Sequence, residues 1–191
     1  MKVVVINGRG GSGKDTFVDM CKSYGYIRAY SSVDTIKQAA RILGWTEGKS
    51  PSDRKFLSEL KDLATWYNDG PFEDMKRYHK VCAEENSMCK SMSGVRPIDI
   101  LFLFVREPRE IERCVKEFDA VTLLVRRPAN SNEKYGNHAD DDVEKYKYDY
   151  ICDNDGTFAE LSEQARAFVN MLTCEEYDTN RDFLLGDVDE V

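Results

Sequence analysis

The chain has 191 residues, is 41% apolar and carries a formal net charge of −8 at neutral pH. That size suits one domain with a sizeable core, and no run of about 18 or more apolar residues offers a membrane span. Most of the negative charge sits in residues 175–191, where Glu175, Glu176, Asp178, Asp182, Asp187, Asp189 and Glu190 face only Arg181. The body is therefore near neutral and lacks a basic stripe, which argues against binding to a nucleic-acid polymer.

Lys2–Asn7 reads as a short buried strand with no basic-then-apolar leader before it. The spacing predicts a helix from Lys14 to about Tyr24, with Phe17, Cys21 and Tyr24 on one face, and then a strand over 26–30. Ser31 or Ser32 should cap a helix carrying Val33, Ile36, Ala40 and Leu43, ending near Gly44. Ser50, Pro51 and Asp53 form a strong helix start. The helix they open carries Phe56, Leu57, Leu60, Leu63, Ala64 and Tyr67. Asn68–Pro71 breaks the chain, and the next helix (Phe72, Met75, Tyr78, Cys82) should fade through polar residues 84–94. Residues 98–105 are apolar on both alternating faces, as a central parallel strand requires. A helix over 107–118 and a strand over 120–125 follow. Residues 126–147 are polar and aperiodic, 148–152 form a short strand, and 154–157 cap a last helix with Leu161, Ala165, Phe168 and Leu172.

This alternation predicts an α/β fold, a parallel sheet between two helical layers. The ligand crevice should lie at the carboxyl ends of the strands. Asp99 precedes its strand and is set aside; Arg106 and Glu107 follow it and are promoted. The scattered cysteines (Cys21, Cys82, Cys89, Cys114, Cys152, Cys174) contain no C-x-x-C pair and read as thiols of a reducing, cytoplasmic protein.

The strongest motif is Gly8-Arg9-Gly10-Gly11-Ser12-Gly13-Lys14, between the first strand and the first helix. Its spacing is that of a phosphate-binding P-loop, in which glycines let backbone N–H groups converge on phosphate oxygens and the lysine supplies a point charge. The position that normally carries the Mg²⁺-binding hydroxyl is Asp15, and Thr16 follows. Asp15 either holds Mg²⁺ directly or through water, or only favours the helix start.

Phosphoryl transfer needs further cations. Arg126 and Arg127 open the polar segment 126–147, whose length suits a lid over the nucleotide. Arg54 and Lys55 begin a helix that could meet an acceptor's phosphate. Asp34 and Lys37 lie within reach of the crevice. For each of these, a solvated or helix-capping role is the competing reading. His79 and His138 suggest no further chemistry.

The stretch 8–17, with Asp in the hydroxyl position, resembles the P-loop of bacteriophage-type deoxynucleoside monophosphate kinases and animal-type phosphomevalonate kinases. Residues 54–63 and 123–161 are similar to the phage-type kinase and its bacterial relatives. The resemblance covers most of 1–170. It implies a P-loop NTPase fold of three αβα layers, nucleoside monophosphate kinase-like, with a lid insertion. It further implies that Gly8, Arg9, Gly10, Gly11, Ser12, Gly13, Lys14, Asp15 and Thr16 bind ATP phosphates, with Asn154, Asp155 and Gly156 against the adenine. Arg54, Lys55 and Arg106 would meet the acceptor, and Lys14, Arg126 and Arg127 would stabilise the transferring group. One departure stands out. Arg106-Glu107-Pro108 replaces a plain aspartate after the third strand, so Glu107 joins Asp15 and Thr16 as a candidate metal ligand.

The expectation is thus one kinase domain over 1–173, with a helical acceptor-side region (44–97), a lid (126–147) and an acidic tail (174–191). It uses ATP and Mg²⁺ on a small phosphorylated acceptor, first of all a (deoxy)nucleoside monophosphate. A dephospho-coenzyme A kinase-like enzyme and a nucleotide-binding regulator without transfer are the alternatives. No membrane or nucleic-acid partner is expected, and a homodimer is compatible with this outline.

Overall fold

The computed structural model describes residues 1–48, 50–89, 94–127, 143 and 146–174. In chain order these form β1 (Lys2–Asn7), α1 (Lys14–Cys21), β2 (Ile27–Ser31), α2 (Asp34–Ile42), α3 (Pro51–Asn68) and α4 (Gly70–Cys89). After them come β3 (Ile100–Phe104), α5 (Pro108–Phe118), β4 (Val121–Arg126), β5 (Tyr150–Asp153) and α6 (Phe158–Thr173). The strands make one sheet in the order β2-β3-β1-β4-β5, and every neighbouring pair is parallel.

The continuous apolar runs of β1 and β3 follow from burial on both faces. Alternate side chains point to opposite faces of a strand. Val3 and Val5, with Leu101 and Leu103, join Phe72 and Met75 of α4 and Ile111 and Cys114 of α5 in one core. Val4 and Ile6, with Ile100 and Phe102, join Phe17 and Val18 of α1 and Leu161, Ala165 and Phe168 of α6 in the other. The expected α/β class and parallel sheet are therefore present, with β1 at the centre and the loop after it central among the strand ends.

Several local expectations need correction. Neither Ser31 nor Ser32 caps α2: its N-cap is Val33, without a side-chain cap bond. The Asp34 carboxylate instead accepts the Ser31 N–H at 3.0 Å. Helix α1 stops at Cys21 rather than Tyr24, and Leu43 is exposed instead of sharing the buried face of α2. Helix α4 ends at Cys89, inside the polar stretch 84–94 where the sequence predicts it to fade, and Cys89 is buried. Asn86 holds that last part by pairing both ways with the Ile98 backbone, at 2.7 and 2.9 Å. The apolar residues of α3 form no core: the helix has no buried residue, and Leu63, Trp66 and Tyr67 are mostly exposed.

The capping signals at the two later helices, α3 and α6, were read correctly. Ser50 and Asp53 form a reciprocal capping box with Pro51 in the first turn, and Thr157 and Glu160 form another at α6. Each cap contributes about 0.5–2 kcal/mol. Asp99 is structural, accepting the Tyr26 N–H and a bond from Arg96, both at 2.8 Å. All six cysteines are free and all but Cys174 are buried. No described helix is long and apolar enough to cross a membrane.

Candidate phosphate-binding site

Two glycines of the loop are there for steric reasons. A Cβ on Gly8 would collide with the Val125 carbonyl and the Ser12 hydroxyl. One on Gly13 would collide with the Asn154 amide, and Gly13 also has a φ of 93°, which L side chains rarely adopt. Gly11 shares the left-handed region at 76°. A turn from the Ser12 N–H to the Arg9 carbonyl (3.2 Å) folds the loop, and the Phe17 N–H to the Gly13 carbonyl (2.9 Å) starts α1. The first N–H groups of a helix have no acceptor within it and carry the positive end of its dipole. The Ser12 hydroxyl is buried without a hydrogen-bond partner among the described residues. A tight glycine cradle, the buried Ser12 hydroxyl and a lysine at the first helical position fit the phosphates of a nucleotide.

Lys14 and Thr16 are half-buried and Asp15 is exposed, all in the first turn of α1. Glu107 is half-buried at the N-cap of α5, just past β3, the strand beside β1. No cluster of three or more His, Cys, Asp or Glu residues gathers for a metal among the described residues. Mg²⁺ commonly binds through one or two carboxylates, phosphate oxygens and retained waters. Asp15, Thr16 and Glu107 offer only oxygen donors and fit that pattern.

On the other side of β1, the end of β4 delivers the two arginines. Arg126 makes a bidentate pair with Asp153, one bond at 3.0 Å. Arg127 donates through Nε to the Asn154 carbonyl at 3.1 Å. The rest of the segment expected as a lid, apart from Val143, Tyr146 and Lys147, lies outside the described residues, as does the tail beyond Cys174. Asn154 is buried, and its side chain donates to the Ser12 carbonyl at 2.8 Å, bracing the loop from the side. Asn154, Asp155, Gly156, Thr157, Leu161 and Gln164 line a hollow of about 210 Å³ next to that brace. A larger, open depression of about 560 Å³ runs along α6, but contains none of the phosphate-loop residues.

The expected acceptor residues are spread over α2, α3 and the end of β3. Asp34 is 3.9 Å from Lys37; Ser32 donates from its backbone to the Phe104 carbonyl, which brings the start of α2 beside the end of β3. Arg54 and Lys55 are exposed on the first turns of α3, and Lys55 pairs with Glu59 at 3.7 Å. Arg106 is exposed directly after β3.

Two residues escaped the sequence reading. Asn7 is 1% exposed and ends β1, and Tyr148 is buried beside it. Burial pushes the Tyr148 phenol up to about 12, partly opposed by the bond from Asn7. The signal available in the sequence was a lone amide ending an apolar strand immediately before the glycine loop.

No family model matches the chain, and no curated protein matches its sequence. Solved structures do match. An unliganded sugar kinase from Janibacter sp. HTCC2649 aligns at a TM-score of 0.51 with 14% identity, over 89% of this chain and 95% of the other. TT1252 from Thermus thermophilus aligns at 0.42 with 17% identity, over 90% and 98%. The first likeness extends the shared architecture over almost the whole of both chains; the second is too loose to build on. Together with the sheet order, the fold belongs to the three-layer α/β class with a central parallel strand leading into a glycine loop.

Proposed function

We propose that the protein is a kinase that moves the γ-phosphoryl group of MgATP to a small phosphorylated acceptor, first among them a (deoxy)nucleoside monophosphate. One observation carries this reading: the glycine loop at the centre of the sheet is sterically obligatory at Gly8 and Gly13 and ends in Lys14 at the start of a helix. The fold shared with a sugar kinase supports phosphoryl transfer as the reaction class.

In this reading the loop N–H groups and Lys14 bind the β- and γ-phosphates, and the hollow beside Asn154 to Gly156 takes the base. Asp15, Thr16 or Glu107 would help to hold Mg²⁺, which when bound would supply charge neutralisation at the phosphates. An acceptor phosphate oxygen attacks the γ-phosphorus; the bond to the β,γ-bridging oxygen breaks, and ADP leaves with that electron pair. Arg54, Lys55 and Arg106, with Asp34 and Lys37 behind them, orient the acceptor. Arg126 and Arg127 stabilise the charge spread over the transferring group. The site belongs to a cytoplasmic enzyme of nucleotide metabolism.

The test is ADP release from MgATP with a panel of ribo- and deoxynucleoside monophosphates, dephospho-coenzyme A, phosphomevalonate and simple sugars. Release that depends on one class of acceptor is expected. Tight ATP binding with no acceptor-dependent release would leave a nucleotide-binding protein and not a kinase.

A further inference from the structure

Asn7 spends its whole side chain on three different parts of the chain. Its Oδ1 accepts the N–H of Gly8, the first loop residue, at 2.8 Å. Its Nδ2 donates to the Arg106 carbonyl, just past β3, at 3.1 Å. The same nitrogen donates to the Tyr148 hydroxyl, just before β5, at 2.8 Å. That hydroxyl donates in turn to the Val143 carbonyl at 2.9 Å. A carbonyl can only accept, so the Arg106 bond fixes which way the amide faces, and with it the direction of every bond in the chain. Val143 is 1% and Tyr148 9% exposed, so water does not compete for these groups.

A residue needed only to fill the end of β1 could be apolar, as Val5 and Ile6 are. The amide instead joins the phosphate loop, the backbone of a candidate acceptor residue and the segment that returns from 126–147. A fully satisfied buried network holds its members in one arrangement. Misplacing reacting groups by about 1 Å can cost about 100-fold in rate.

We infer that Asn7 and Tyr148 are positioning residues for the proposed transfer, holding Arg106 and the chain at Val143 in register with the phosphate loop. The inference rests on the kinase reading for its consequence in rate, but the coupling itself is measurable without turnover.

Tyr148→Phe keeps the ring, which packs edge-on to Tyr146 at 5.0 Å, and deletes only the hydroxyl. Asn7→Ala removes the whole hub. For each, kcat, both KM values, ADP affinity by calorimetry and the melting temperature are measured. A loss of about 10- to 100-fold in kcat is expected, with ADP affinity within about threefold of wild type. A kcat within about twofold of wild type, whatever happens to the melting temperature, would show a purely structural role and overturn the inference. If the wild type binds ADP but serves no acceptor, the kinase reading fails and amide spectra decide the coupling. ADP should then shift Gly8, Arg106 and Val143 together in the wild type. The Val143 shift should vanish in Tyr148→Phe, and those of both Arg106 and Val143 in Asn7→Ala. Shifts confined to Gly8 in the wild type, or unchanged in the variants, would overturn it. Absence of ADP binding would remove both readings.

Discussion

Helices α6 and α3 are of similar length but are attached to the sheet in different ways. Helix α6 buries Leu161, Ala165, Phe168 and Val169 against β1, β3 and α1, and its N-terminal end reaches the phosphate loop through Asn154. Helix α3 buries no residue at all. Polar contacts carry much of its attachment: Lys61 meets Glu110 of α5 at 2.6 Å, with side chains only 14% and 12% exposed. Just beyond its end, Asp69 makes a bidentate pair with Arg113 of α5, one bond at 3.0 Å, whose guanidinium lies 3.8 Å over Phe72. The difference separates a side of the fold preset by core packing from one whose outer helix is at most half-buried. Regions with few buried apolar contacts open at lower free energy than core elements, which suits the proposed entry of an acceptor at this end.

The sharpest way to break this comparison is a core truncation. Phe168→Ala should cost about 3–5 kcal/mol in urea denaturation, because its ring packs on Phe17 at 5.8 Å and Tyr150 at 5.6 Å. A cost below about 1 kcal/mol would mean that α6 is not the anchor described here. Next, Lys14→Ala should lower acceptor-dependent turnover by about 10²–10³-fold while leaving the urea midpoint nearly unchanged; full activity in this variant would remove Lys14 from the site.

Glu110→Ala leaves Lys61 charged and largely buried, and should cost about 1–3 kcal/mol. Replacing both partners together with leucine and methionine should recover most of that loss. If the double variant is as unstable as the single one, the pair is not what holds α3.

Alkaline pH tests the core side. Burial pushes the thiols of Cys21, Cys114 and Cys152 from an ordinary 9.0 up to about 12, and the Tyr148 phenol from 10.0 up to about 12. The unfolded chain loses these protons first, so stability is complete below pH 9 and falls as pH rises toward 12. Each group contributes up to about 1.4 kcal/mol per pH unit in its window. Urea midpoints between pH 8 and 11 should fall, and Cys114→Ala should flatten the slope. Smallest of all, Trp66→Ala on the exposed face of α3 should change stability by no more than about 0.5 kcal/mol.

The same contrast explains what the sequence could reveal. Strands β1 and β3 were legible because double burial forces continuous apolar runs, and the glycine loop between β1 and α1 because its residues and setting coincide. The capping boxes at Ser50 and Thr157 were legible because they are local. Helix α3 was legible as a helix from its spacing, but how deeply its apolar residues are buried was not, because periodicity gives a face and not its partner. The extension of α4 to Cys89 depends on Asn86 pairing with Ile98, a contact between chain segments that no local pattern announces. Asn7 and Tyr148 were hidden for the same reason, since 141 positions separate them.

The proposal that the loop at Gly8–Lys14 serves transfer between two small molecules is open to direct observation. Phosphorus NMR of the protein with MgATP and a nucleoside monophosphate tests it most directly. ATP signals should decline as ADP and the acceptor's diphosphate rise in equal amounts, and neither should appear with Lys14→Ala. ADP accompanied only by inorganic phosphate, or ATP unchanged across every acceptor, would contradict it.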